Sequence, residues 1–298
     1  MRHILLILLC LLLATPLTGQ RYYALYSAAL PCAEQVGSAS EQYRPDIGRV
    51  LLNVDTPLLE YVAPVPRSGV GAAIMIIPGG GYTVEAYELE GTDIARYLSA
   101  RGYHTFVLQH RLPARVDGDC RDHVALDDAR RGMRLIRSLA DSLGYAVDRV
   151  GVMGFSAGGH LAGSVSVHPA VEDSLSSRPD FSVLVYPVLI MGEQSGHAGS
   201  QEALLGADPD PTRLAYYNLP ARVDSLTPPT LLVHASDDEG VHPRNSLRYY
   251  EQLVAHGVAA DLRMYATGGH GFGAARERAA PVANWLEEVV AWLSSLRP

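Results

Sequence analysis

From residue 58 onward the chain alternates two hydrophobic rhythms. Leu58–Val62 reads as a strand, closed by Pro64 and Pro66. Residues 70–77 form an unbroken apolar run of strand length, the pattern of a strand buried on both faces. Helical spacing follows at 91–101, and a β-rich stretch at His104–Gln109. Residues 123–143 place Val124, Ala125, Leu126, Ala129, Met133, Leu135, Ile136 and Leu139 at near-helical intervals. The alternation continues with a strand at 149–154, a helix at 157–168 and a strand at 181–186. Thr230–Ala235 reads as a strand, 243–256 as a helix, Ala260–Tyr265 as a strand and 281–296 as a closing helix, on which Trp285 and Trp292 read as a core stripe. Strands alternating with helices predict an α/β fold, a mostly parallel central sheet covered by helices on both faces.

Two intervals do not join this rhythm. Residues 20–57 are mixed and yield no element. Residues 187–229 carry several prolines and glycines and no strand pattern. They are either a small lid inserted over the C-terminal edge of the sheet or a surface excursion with one or two short helices.

The first residues are of another kind. Met1-Arg2-His3 precedes an apolar run at 4–14, which Thr15, Pro16, Leu17, Thr18 and Gly19 interrupt. This is the layout of a secretory signal peptide over 1–19, cut after Gly19, with 20–298 as one domain exported to the periplasm or beyond. The run is short for a membrane span, so no membrane association is expected after cleavage. An uncleaved anchor or a buried N-terminal helix is the alternative. Cys10 lacks the small residues that would precede a lipoprotein cysteine. Cys32 and Cys120 would remain, and an oxidising compartment permits their pairing or leaves two thiols. Neither has a Cys-x-x-Cys partner, so neither reads as a zinc ligand.

Composition removes several chemistries. All 24 basic residues are Arg, with no Lys, so Schiff-base and phosphate-loop lysines are excluded. A net charge of −8 with scattered Arg argues against nucleic acid as a partner.

The sharpest motif is Gly154-Phe155-Ser156-Ala157-Gly158, between a predicted strand and a predicted helix. Gly-x-Ser-x-Gly there is the nucleophile elbow, a serine on a strained strand-to-helix turn. A serine hydroxyl needs a base, and the order Ser, Asp, His places the partners later in the chain. Ser236-Asp237-Asp238-Glu239 follows one strand and Gly268-Gly269-His270-Gly271 follows another, both at strand ends where ligand sites gather. His270 is the expected base, and the acid is Asp238 or Asp237. Asp238 is favoured because Asp238-Glu239-Gly240-Val241-His242-Pro243 approximates an Asp-x-x-Val-Pro loop with one residue inserted before Pro243. Pro78-Gly79-Gly80-Gly81-Tyr82 follows the apolar strand. Its glycines allow close backbone approach, so Gly80, Gly81 and Ala157 are the expected oxyanion donors. Tyr82 is a candidate for lining the site. Asp127 and Asp128 beside Arg130, Arg131 and Arg134 read as helix-surface pairs. Glu88 and Glu90 form a carboxylate pair without a defined partner.

These stretches together resemble the α/β-hydrolase superfamily, and within it hormone-sensitive-lipase-like esterases and secreted bacterial acetylxylan esterases. Pro78 stands where many relatives have His. The resemblance implies a serine carboxylesterase acting through an acyl-enzyme, without metal or cofactor. Its implied substrates are short-chain, above all acetyl, esters of xylan or other carbohydrate, as a small molecule or oligosaccharide. Oligopeptidase catalytic domains share the fold and the order of the three residues, which leaves a peptidase as an alternative. They carry an added propeller, for which there is no room before residue 70. A non-catalytic binding protein on the same fold is the third reading.

Overall fold

The computed structural model describes residues 21–27, 29–33, 37–65, 69–172, 174–275 and 281–296. The expected leader, 1–19, lies outside them. The strands are β1 (Arg21–Ala24), β2 (Ser40–Arg44), β3 (Gly48–Asn53), β4 (Leu58–Val62), β5 (Ala73–Ile77), β6 (His104–Gln109), β7 (Val150–Phe155), β8 (Val171–Glu172), β9 (Leu175–Ser176), β10 (Ser182–Val185), β11 (Thr230–Ala235) and β12 (Ala260–Tyr265). Eight of them make one sheet in the order β1-β4-β6-β5-β7-β10-β11-β12. The run from β6 to β12 is parallel, and β4 is antiparallel to both of its neighbours.

The helices are α1 (Asp93–Ser99), α2 (Val124–Ser138), α3 (Ala140–Leu143), α4 (Ser156–Val167), α5 (Ala198–Leu205), α6 (Pro211–Tyr217), α7 (Arg244–Ala255) and α8 (Trp285–Ser295). Because strand side chains alternate between faces, the sheet divides the core in two. Met75, Phe106, Val152 and Leu232 pack with residues of α2, α4 and α7. Ile74, Val107, Val183 and Val233 pack with residues of α1 and α8, including Trp285 and Trp292.

The structure departs from the sequence reading in instructive places. The described residues of 20–57 hold three strands, β1, β2 and β3. β2 is exposed along most of its length and pairs only with β3, so it shows no apolar alternation. The helix expected over 91–101 begins with a π-helical turn, Glu88–Thr92. The long helix breaks at Leu139, where α2 passes into α3. Residues 187–229 form α5, α6 and a short 3-10 turn at Leu219–Arg222. Asp128 is not a surface partner. It is fully buried and takes a forked contact from the buried Arg111, whose Nε and Nη2 donate to its carboxylate. Asp127, one residue away, stays on the outer face with Arg130. Cys32 and Cys120 are joined as a disulfide.

Candidate active site

The site is assembled at the C-terminal ends of adjacent parallel strands, where the chain must leave the sheet and turn. The loop 78–81 follows β5, Ser156 follows β7, Tyr186 follows β10, Asp238 follows β11 and His270 lies beyond β12.

Ser156 opens α4 with φ +52°, a left-handed conformation that costs free energy and lifts the side chain out of the turn. The turn is tight enough that a Cβ on Gly154 would sit 2.2 Å from the Gly158 carbonyl oxygen. The Ser156 hydroxyl lies 2.9 Å from His270 Nε2, and His270 Nδ1 lies 2.8 Å from Asp238 Oδ2. With Nδ1–H donating to the carboxylate, Nε2 is left to accept the serine proton.

Asp238 is held on every side. Its Oδ1 accepts the Gly240 and Val241 amides at 2.9 and 2.7 Å. Its Oδ2 lies 3.2 Å from Nε2 of the buried His234. Burial alone would raise this carboxyl, but hydrogen bonds from His234, His270 and the Val241 amide outweigh it and hold it well below the usual range. Asp237 is exposed and accepts the Gly269 amide at 2.8 Å, so it braces the loop before His270, while the ring's carboxylate partner is Asp238. His242, the inserted residue, is exposed, and its Nδ1 accepts the Arg244 amide.

Gly80 and Gly81 line the cleft beside Ser156, with φ +137° and +65°. Ala157 buries its methyl group in the core, and its N–H belongs to the first turn of α4, where no intrahelical acceptor exists. Ser156 thus sits at a helix N-terminus that favours negative charge, with Gly80 and Gly81 lining the same cleft.

Tyr82 requires a correction. It was a candidate for lining the cleft, yet it is 2 % exposed with φ +61°. That conformation turns the ring into the core, where its hydroxyl pairs with His160 Nδ1 at 2.8 Å. His160 Nε2 in turn faces the Tyr217 carbonyl oxygen at 3.0 Å. The Nε2–H therefore donates to Tyr217, and Nδ1 accepts from Tyr82. Tyr82 anchors the glycine loop from behind.

Three features of the cleft carry no sequence motif. The turn between β2 and β3 contributes Pro45, Asp46 and Ile47 to one wall. His197, the N-cap of α5, brings the 187–229 segment to the site. Its Nδ1 accepts the Ser200 amide at 3.1 Å, so its neutral ring carries the proton on Nε2. Burial and the nearby His270 both lower its pKa. Glu90, buried, accepts the Gly79 amide at 2.8 Å and the Tyr186 hydroxyl at 2.8 Å. Among the described residues, the one trio of metal-type ligands is Cys32, Cys120 and His123, and the disulfide removes both sulfurs from that role.

Residues 132–295 match the model of the prolyl oligopeptidase family, which covers more than half of the chain. An acetylxylan esterase of Xylanibacter ruminicola is 34% identical over 242 residues, 78% of this chain and 48% of that protein. Endo-1,4-beta-xylanase B of Butyrivibrio fibrisolvens is 32% identical over 211 residues, 68% of this chain and 33% of that one. The chain therefore spans about half, or less, of these curated relatives. The crystal structure of an acetyl ester-xyloside bifunctional hydrolase from Caldicellulosiruptor lactoaceticus superposes with TM-score 0.73 at 36% identity, covering 81% of this chain and 88% of that one.

Proposed function

The chain belongs to the prolyl oligopeptidase family of α/β hydrolases, and from that premise we propose that it is a secreted serine carboxylesterase that removes short acyl groups, acetyl above all, from carbohydrate. The observation that carries the reading is the unbroken hydrogen-bonded row from Ser156 through His270 to Asp238.

In this reaction His270 Nε2 takes the Ser156 proton as Oγ bonds to the ester carbonyl carbon. The carbonyl oxygen becomes an oxyanion and accepts hydrogen bonds from the Gly80, Gly81 and Ala157 amides. Asp238, ionised throughout, holds the ring in its tautomer and balances the imidazolium charge. The intermediate collapses, the C–O bond to the alcohol breaks, and Nε2 returns the proton to that oxygen. Water then repeats the sequence on the acyl-enzyme, releasing the acid and free Ser156.

The carbohydrate inference is supported by the acetylxylan esterase, the xylanase and the acetyl ester-xyloside hydrolase among the similar proteins. Secretion is supported by the apolar run at 4–14 and by the Cys32–Cys120 disulfide, a bond that persists outside the cytosol. The test is hydrolysis of 4-nitrophenyl acetate by the wild type and by Ser156→Ala, followed by acetate release from acetylated xylan. Equal activity of the two proteins refutes the serine mechanism. Cleavage of prolyl peptides in preference to any ester refutes the esterase assignment and leaves the peptidase.

A further inference from the structure

Glu90 is a buried acid next to the reacting groups that the mechanism above does not use. It sits on the π-helical turn Glu88–Thr92, a geometry that recurs at functional sites. Among the described residues no Arg pairs with it, and the opposite charge that favours its ionised form is that of the protonated His270 ring, so with a neutral imidazole its burial is offset by hydrogen bonds alone. Its partners lie on two separate loops. Oε2 accepts the Gly79 amide at 2.8 Å, at the root of the segment that bears Gly80 and Gly81. Gly79 is confined between this carboxyl and the nucleophile. A Cβ there would meet Glu90 Oε2 at 2.7 Å on one side and the Ser156 Cβ at 2.8 Å on another. Oε1 accepts the Tyr186 hydroxyl at 2.8 Å. That hydroxyl accepts the Gly273 amide at 3.1 Å, three residues beyond His270. The Tyr186 ring packs edge-on against the His270 ring, with centroids 4.9 Å apart. Tyr186 holds a strained φ of +36° to do so.

We propose that Glu90 is a positioning residue for the ester hydrolysis. Its two carboxyl oxygens tie the root of the oxyanion loop to the segment that carries the base, through Tyr186, so that donors and imidazole keep one spacing around Ser156. Burial raises the pKa of Glu90, against the hydrogen bonds from Tyr186 and Gly79 and the charge of His270. The side chain is therefore held in place at a cost in solvation. The inference rests on the esterase reading.

The test compares Glu90→Ala, Glu90→Gln and Tyr186→Phe with the wild type on 4-nitrophenyl acetate, with a thermal melt of each. Loosening two loops that must agree within a fraction of an ångström predicts a fall in kcat of roughly ten- to hundredfold for Glu90→Ala. KM, set by ground-state contacts, changes by less than about threefold. Glu90→Gln keeps an acceptor for Gly79 and a polar group for Tyr186, and recovers kcat to within about fivefold of wild type. Tyr186→Phe keeps the ring packing, loses the tie and lowers kcat by about tenfold. Wild-type kcat in Glu90→Ala or in Tyr186→Phe overturns the proposal, as does a Glu90→Gln protein that melts normally yet is as slow as the alanine variant. If Glu90→Ala fails to fold, the other two variants decide. A wild type inert toward the ester overturns the hydrolase reading itself, and this inference with it.

Discussion

Gly158→Ala places one methyl group where the fold allows none. A Cβ at residue 158 would lie 2.3 Å from the Pro78 carbonyl oxygen and 2.4 Å from that of Ile77. Both atoms are backbone, at the end of β5 and the start of the loop bearing Gly80 and Gly81, so neither can rotate away. Ordinary contact begins at 3.4 Å, so α4 and the loop must separate by about 1 Å in an interior that has no slack. The proposed oxyanion donors stand on both sides of that gap, Ala157 on α4 and the glycines on the loop. A misplacement of this size costs about a hundredfold in rate, or about 2.7 kcal/mol of transition-state stabilisation. The assay is steady-state hydrolysis of 4-nitrophenyl acetate, with kcat expected to fall and KM to change little. Gly163→Ala, one and a half turns along the same helix, is the control. Its Cβ would meet methyl groups of Leu219, Leu189 and Leu184, at 2.9, 3.2 and 3.9 Å, and side chains can shift. Propensity favours alanine over glycine at both positions, by up to about 1 kcal/mol, so it cannot account for a loss of activity in either. Wild-type kcat in Gly158→Ala, or equal damage in Gly163→Ala, would refute the placement of the oxyanion donors across this contact.

Three further outcomes follow from the geometry. Asp238→Asn, which leaves the His270 ring without its orienting carboxylate, lowers kcat by about three to four orders of magnitude, whereas Asp237→Asn costs less than about tenfold; the reverse order in ester kinetics would give Asp237 the role of the acid. Replacing Cys32 and Cys120 with Ser opens a cross-link across 88 residues of chain, for which loop entropy predicts a loss of about 4–5 kcal/mol in urea unfolding; neither cysteine lines the cleft, so unchanged unfolding with altered kcat would contradict the structure. Burial holds the fully enclosed His110 and His160 down to about 4, below their unfolded value of about 6.5. The unfolded chain thus binds protons that the folded one refuses, and stability present above about pH 6.5 is lost as pH falls toward about 4, by about 3 kcal/mol per histidine. Melting temperature against pH measures this, and His160→Gln flattens the slope; an identical slope in that variant excludes His160 as its source.

The central parallel strands were legible because burial on both faces leaves continuous apolar runs, as at β5 and β11, and β6, β11 and β12 occupy the ranges that the sequence pattern marks. β2 was not legible. It is mostly exposed and pairs with one partner, so nothing selects its residues by hydrophobicity, although the turn after it walls the cleft. Ser156 and His270 could be named because the chemistry constrains their immediate neighbours: glycines around a strained turn in one case, a strand end in the other. Asp237 and Asp238 differ by one residue, and only the turn that gives Asp238 the Gly240 and Val241 amides separates them. Tyr82 was misread for the same reason. A positive φ at that residue decides between cleft and core, and an aromatic letter does not report it. Asp128 was read as a surface residue because its burial depends on Arg111, on another element.

Glu90 and His197 show where a local reading runs out. A motif is visible when its atoms must lie close along the chain, as the elbow's do. Glu90 bonds Gly79, 11 residues away, and Tyr186, 96 residues away, and its neighbour Gly91 is a lone glycine whose close approach to Val107 and Pro78 no local motif announces. His197 reaches the cleft only because α5 caps on its ring and the segment folds back toward Gly81. The groups that perform the bond-breaking steps are therefore readable one loop at a time. The groups that set the distances between those loops exist only as pairs, and a pair becomes apparent when β5, β7 and β10 lie side by side.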